Sequence, residues 1–169
     1  SPARLRAVLE ALDDPRFSAI ERIEAPRATR AQLERVHGAV MIDHVFANAP
    51  REGYAQLDAD TAMSHGSLEA ALCAAGAVCA AVDALIDGED KRAFCAVRPP
   101  GHHATRAAAM GFCLLDNIAA GAAHALASCV IVPPIFVSAT FLMVAKKKPT
   151  SPADRSCTST GFGVSTPSD

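Results

Sequence analysis

A chain of 169 residues, half of them hydrophobic, is long enough to bury a core and reads as one globular domain rather than a disordered polymer. With 16 basic and 18 acidic side chains the formal net charge is −2, so no global field draws nucleic acid or an anionic membrane to it. Trp is absent and Tyr occurs once, which argues against an aromatic platform for stacking bases.

In chain order, Ser1-Pro2 predicts a cap followed by proline at the first helical position, and Leu5, Val8, Leu9 and Leu12 recur at helical spacing. Asp13-Asp14-Pro15 ends that helix. Thr29 and Gln32 have the spacing of a capping box for a second helix through Leu33 and Val36, with Gly38 as its C-terminal stop. An apolar segment follows from Val40 to Phe46, then a polar loop with Tyr54, Asp58 and Asp60. Ser67 is expected to cap a long helix ending near Gly88, with Leu68, Leu72, Ala75, Cys79, Val82 and Ile86 as its main stripe. Its other faces are mostly Ala, which predicts burial on several sides. Ala93 to Val97 is too short for a helix and reads as a buried strand, which Pro99 and Pro100 cannot continue. An Ala-rich helix is predicted over Cys113 to Ala127.

Beyond Ala127 the composition changes. Residues 128–148 are strongly apolar and contain Pro133-Pro134. A strand at Cys129–Val132 is expected there rather than a membrane span, because the apolar run is short and a double proline lies near its start. Residues 149–169 are rich in Ser, Thr and Pro and are expected to be disordered. None of the six cysteines forms a CxxC pair, and most lie in Ala/Val/Leu-rich runs. That pattern implies a reducing compartment and a cytoplasmic protein rather than a disulfide framework or zinc ribbon.

The segment with chemical character is RPPGHHA, Arg98 to Ala104. A strand, a proline-stiffened turn and then polar side chains is how α/β proteins place groups at the carboxyl ends of strands. Adjacent histidines seldom share one metal ion, for which the i, i+4 spacing on a helix is better suited. They do suit general base and general acid, because imidazole titrates near neutrality. A hydrogen-bonded pair without chemistry is the ordinary alternative for an arbitrary His-His.

RPPGHHA followed by GFCLLDNIAA, Gly111 to Ala120, resembles the zinc-dependent histone deacetylase family, which includes bacterial histone deacetylase-like amidohydrolases and acetylpolyamine amidohydrolases. SPARLRAVLEAL at Ser1–Leu12 is similar to the family's N-terminal helix, and Leu57–Leu85 to its acidic rim loop and long helix. The resemblance covers residues 1 to about 127, roughly three quarters of the chain. It implies an α/β fold, a partial three-layer α/β/α deacetylase (arginase-like) fold in which a helix-rich fragment carries an incomplete parallel sheet. It also implies that His102 and His103 flank the hydrolytic water, one as base and the other orienting the water or protonating the leaving amine. Gly111 and Phe112 would line an acyl-chain tunnel with Cys113 beneath, and Asp60 would hold the substrate backbone or amine. The implied substrate is acetylated lysine or a polyamine, and the implied cofactor is Zn²⁺. No nucleic-acid or membrane partner is implied, and oligomeric state stays open.

This chain departs from the family pattern at His65, commonly Pro, and Asp116, commonly Asn. A larger departure follows Ala127. The family's Asp-x-Asp-x-His-His-Gly run, its later Asp and its carbonyl-polarising Tyr are not found. After residue 103 the chain has one histidine, His124, and three acids, Asp116, Asp154 and Asp169. Metal-bound water has its pKa lowered from about 15.7 to about 7, whereas a histidine acid–base pair contributes only ~10²–10⁴ in rate. The expectation is a catalytically incomplete N-terminal part of a deacetylase over residues 1–127, its zinc ligands absent, with a frameshift, truncation or genuine tail after it. A non-enzymatic interaction module built on the same helices is the alternative. A small hydrolase recruiting metal through His102, His103 and an outside ligand is a third reading.

Overall fold

The computed structural model describes residues 2–88 and 92–128 and, near the C-terminus, the backbone of 163–166. In chain order these form α1 (Pro2–Ala11), a 3₁₀ turn (Pro15–Phe17), β1 (Glu21–Glu24), α2 (Arg30–Glu34), α3 (Ala39–Ala47), β2 (Tyr54–Gln56), β3 (Ala62–Ser64), α4 (Ser67–Ile86), β4 (Phe94–Cys95), α5 (Asn117–Ser128) and β5 (Gly163–Thr166). It is the helix-rich, incompletely sheeted α/β arrangement expected.

The core is organised by α4. Small residues on nearly every side, among them Ala71, Ala74, Ala75, Ala77 and Ala81, let neighbours approach its backbone, and all are buried. By length and composition this helix could cross a membrane, but its burial marks it as the central helix of the fold. On one side Ala71, Leu72 and Ala75 join Leu33, Ile42, Val45, Met63, Leu114 and Leu115 in the larger apolar cluster. On another, Ala77, Val78, Ala81 and Ala84 pack with Cys95.

A polar contact ties three helices together. The guanidinium Nη1 of Arg35 donates to His124 Nδ1 at 2.8 Å, and His124 Nε2 lies 2.7 Å from Asp83 Oδ1. With Nδ1 accepting, the ring proton sits on Nε2 and points to the carboxylate. Nearby, burial, with the Asp83 carboxylate adding to it, pushes the Cys79 thiol up to about 11.

The predicted helix boundaries hold in part. The capping box is present in full: Thr29 Oγ1 accepts from Gln32 N at 3.2 Å, and Gln32 Oε1 accepts from Thr29 N at 2.8 Å. Asp14 accepts from Arg16 N at 2.9 Å and Pro15 opens the 3₁₀ turn, so the Asp-Asp-Pro stop after α1 acts through a side-chain cap. Gly38, however, does not end α2. Its φ is −69°, and it is the N-cap of α3, its carbonyl accepting from Ile42 N at 3.1 Å. Ser67 does not cap α4: Gly66, at φ +81°, holds that position, and Ser67 Oγ turns back to accept from Ser64 N at 2.9 Å. The last helix starts at Asn117 rather than Cys113, because Cys113 is paired with Met110 across a tight turn.

The sheet also differs from the parallel pairing expected. β5 lies between β1 and β4 and runs antiparallel to both, Glu21 opposite Thr166 and Cys95 opposite Val164. β1 and β4 therefore run in the same direction with β5 filling the slot between them. Residues 163–166 lie in the stretch expected to be disordered, the rest of which is outside the described residues. The predicted strand at Cys129–Val132 and the rest of 129–162 lie outside the described residues. A separate hairpin, β2–β3, pairs Tyr54 with Ser64 and carries the acidic loop at its tip.

The burial pattern sets the stability prediction. Leu115 is 0 % exposed in the larger cluster, while Val40 on α3 is 84 % exposed. Leu115→Ala should lower unfolding stability by about 2–5 kcal/mol, and Val40→Ala should stay within about 0.5 kcal/mol of the parent. Denaturant titration followed by circular dichroism checks both.

Candidate active site

Two loops, with residues of α1, α4 and α5, line a cleft of about 560 Å³. The first loop leaves β4 and carries Arg98 to Ala104, with the Arg98–Pro99 peptide cis. The second is the turn at Met110–Cys113. Helix α1 contributes Arg4, Leu5 and Val8 to the cleft lining.

On the first loop, His102 and His103 are both exposed, and their ring centroids lie 4.0 Å apart with planes inclined at 51°. Pro100 and Gly101 line the same cleft. Gly101 is buried against α5, and a methyl group there would fall 2.2 Å from Asn117 Cγ. Two hydrogen bonds fasten the loop to the start of α5: Asn117 Nδ2 donates to Pro99 O at 3.2 Å and Ile118 N to Gly101 O at 3.2 Å. The tandem histidines thus stand on a turn whose base is bonded to a helix.

The second loop is a two-residue turn. Met110 N donates to Cys113 O at 3.1 Å and Cys113 N to Met110 O at 2.9 Å. Gly111 and Phe112 between them have φ of +59° and +62°, the positive pair of a type I′ turn. For phenylalanine that backbone is uncommon and strained by roughly 1–3 kcal/mol. It persists because Phe112 N donates to Thr61 Oγ1 at 3.0 Å and Gly111 N donates to Asp60 Oδ1 at 3.1 Å. Thr61 Oγ1 in turn donates to Asp60 Oδ1 at 2.8 Å. The ring of Phe112 is 67 % exposed and lines the cleft, while Cys113 is buried below, its thiol donating to Gly111 O at 3.4 Å.

The five site residues singled out from sequence are therefore brought together. His102, His103, Gly111 and Phe112 share one cleft, and Asp60 is bonded to the backbone of Gly111. Three further participants escaped the sequence reading. Thr61 is 1 % exposed and holds the turn; Asn117 is 3 % exposed and holds the histidine loop; His37 is 1 % exposed behind both loops. None has a local pattern that sets it apart, because their partners lie far away in sequence. Asp116 finds the partner its charge requires: Oδ1 accepts from Ala119 N at 2.8 Å and caps α5. Among the described residues, no three His, Cys, Asp or Glu side chains are gathered so that they could hold a metal ion.

The loops meet at Gly111, where a methyl group would lie 2.6 Å from His103 Cβ. Gly53 has a similar φ of +68° with nothing within 4 Å of the same position. Alanine at either site pays the left-handed backbone cost of about 1–2 kcal/mol, but only Gly111→Ala should in addition displace His103. Thermal melts of the two variants, with the His103 ring resonances read by NMR, separate the effects. Gly53→Ala should leave those resonances in place.

A family model for the histone deacetylase domain matches residues 1–132. The chain is 38 % identical over 120 residues to the histone deacetylase-like amidohydrolase of Pseudomonas aeruginosa, which covers 70 % of this chain and 31 % of that protein. It is 37 % identical over 134 residues to the human polyamine deacetylase HDAC10, covering 73 % of this chain and 19 % of the relative. Among solved structures, the crystal structure of the HDA15 HD domain superposes with a TM-score of 0.69 at 34 % identity, over 76 % of this chain and 36 % of that one. The chain thus spans about a third or less of these proteins. Over that span sequence and fold agree, and the chain belongs to the histone deacetylase family.

Proposed function

We propose that residues 1–127 are the N-terminal part of a zinc-dependent hydrolase that cleaves acetyl-lysine or acetyl-amine amide bonds, and that this chain does not complete the reaction alone. One observation carries the reading: twin imidazoles stand on the wall of a cleft directly against the Gly111–Phe112 turn. In that arrangement one imidazole accepts a proton from the attacking water, and the other returns a proton to the departing amine. Phe112 and Gly111 flank the acyl chain. Asp60 uses Oδ1 for the turn, which leaves Oδ2 to accept from a substrate N–H or ammonium group at the rim. The relative named a polyamine deacetylase supports amines as one substrate class and the histone deacetylases support lysine side chains.

The residues described here do not by themselves fit a zinc site, and no step above is assigned to the metal. Amide hydrolysis lies far beyond what an acid–base pair worth ~10²–10⁴ supplies. The buried free thiols of Cys79 and Cys113 support a reducing, cytoplasmic setting.

The test joins residues 1–127 to the remaining portion of the Pseudomonas relative and measures acetate release from an acetyl-lysine peptide. The chimera should be active, and His102→Ala or His103→Ala should each lower kcat by about 10²–10⁴. The 169-residue chain alone should release no acetate and bind no stoichiometric zinc. Turnover by that chain matching the chimera would sink the incompleteness. Unchanged kcat in both histidine variants would sink the assigned roles.

A further inference from the structure

We propose that His37 is a positioning residue that sets where His102 and His103 stand. Its ring is 1 % exposed, at the junction of α2 and α3. Nδ1 lies 2.8 Å from the carbonyl oxygen of Thr105, and Nε2 lies 2.9 Å from the amide nitrogen of Asp116. A carbonyl only accepts and an amide N–H only donates. The imidazole is therefore neutral, with its proton on Nδ1 and the Nε2 lone pair facing Asp116. No other arrangement satisfies both partners, and a buried polar group left unsatisfied is costly.

The two partners make this ring more than a core residue. Thr105 is two residues beyond His103. Asp116 closes the Met110–Cys113 loop and caps α5, the helix to which the histidine loop is fastened through Asn117 and Ile118. One rigid ring thus bridges the far ends of the two loops, whose near ends meet at Gly111 and His103. Next to it, Gly38 N donates to Arg106 O at 2.9 Å, a second tie on the histidine side. The spacing between the imidazole pair and the turn is accordingly held from both sides, by contact in the cleft and by His37 behind it. The catalytic meaning of this placement rests on the function proposed above; the placement itself does not.

The experiment reads geometry and not turnover, so failure of the deacetylase reading would leave it intact. In the labelled 169-residue chain, long-range ¹H–¹⁵N NMR should show His37 in the Nδ1–H tautomer near neutral pH. His37→Leu, which keeps bulk and loses both hydrogen bonds, should move the ring resonances of His102 and His103. It should also speed exchange of the Asp116 amide by about tenfold or more. His37→Gln, able to donate and accept from one side chain, should fold and restore part of both effects. Val82→Ala, which removes buried volume from α4, is the control for lost stability. The Nε2–H tautomer in the parent would overturn the proposal. So would His102 and His103 resonances that shift no more in His37→Leu than in Val82→Ala. Should His37→Leu not fold, unchanged resonances and unchanged Asp116 exchange in His37→Gln would overturn it equally.

Discussion

The absence of a side chain at position 111 is the constraint on which the site depends. Where Gly111 meets His103 there is no room for a methyl group, so the turn and the histidine loop touch directly. Contact alone would leave the turn free to relax, because Phe112 sits in a backbone region it does not favour. The turn keeps its shape through hydrogen bonds donated by its Gly111 and Phe112 amides to Asp60 and Thr61, which belong to the β2–β3 hairpin and not to either loop. The acidic rim is thus part of the turn's mechanical support. A carboxylate that reads from sequence as a substrate anchor is, in the folded chain, first a brace.

Behind the site, α4 lets the whole assembly close up. A helix lined with Ala permits α5 to lie close along it, and α5 is the element to which the histidine loop is bonded. Bulky residues along α4 would hold α5 away and carry the loop with it. The Arg35–His124–Asp83 chain sets the same relation from the polar side, joining α2, α4 and α5 where no apolar residue could make a directional contact. The packing of α5 on α4 therefore contributes to where the histidine loop sits.

What the sequence could disclose divides along physical lines. The capping box at Thr29 and Gln32, the many-sided burial of α4 and the stop at Asp14-Pro15 are local in origin, and periodicity or short spacing displayed them. Gly38 and Ser67 are ambiguous in sequence because a glycine or serine near a helix end serves several purposes. Only the backbone angle and the hydrogen-bond partner tell which: Gly38 opens α3, and Ser67 bonds back to Ser64. The tandem histidines and the Gly-Phe turn were legible as motifs, yet their meeting across a cleft was not. His37, Thr61 and Asn117 were invisible for a stricter reason. Their partners, Thr105 and Asp116, Phe112, and Pro99, are between 18 and 79 positions away, and no local pattern records such a pairing.

The supports of the cleft also bear on how a partial chain can keep family geometry. Every described brace of the two loops lies within residues 37–118: His37, Gly38, Asp60, Thr61, Asn117 and Ile118. The placement of the imidazole pair is thus determined inside the region that matches the family, without appeal to the segment beyond it. Geometry and chemistry then have separate sources. Prepositioning the imidazole pair needs only these loops, whereas under the proposed function activating water for attack on an amide would require electrostatic help that an acid–base pair cannot replace. Under the proposed function such a half-site would hold its side chains in place and yet be inert, because the interactions that position them are not those that lower the barrier.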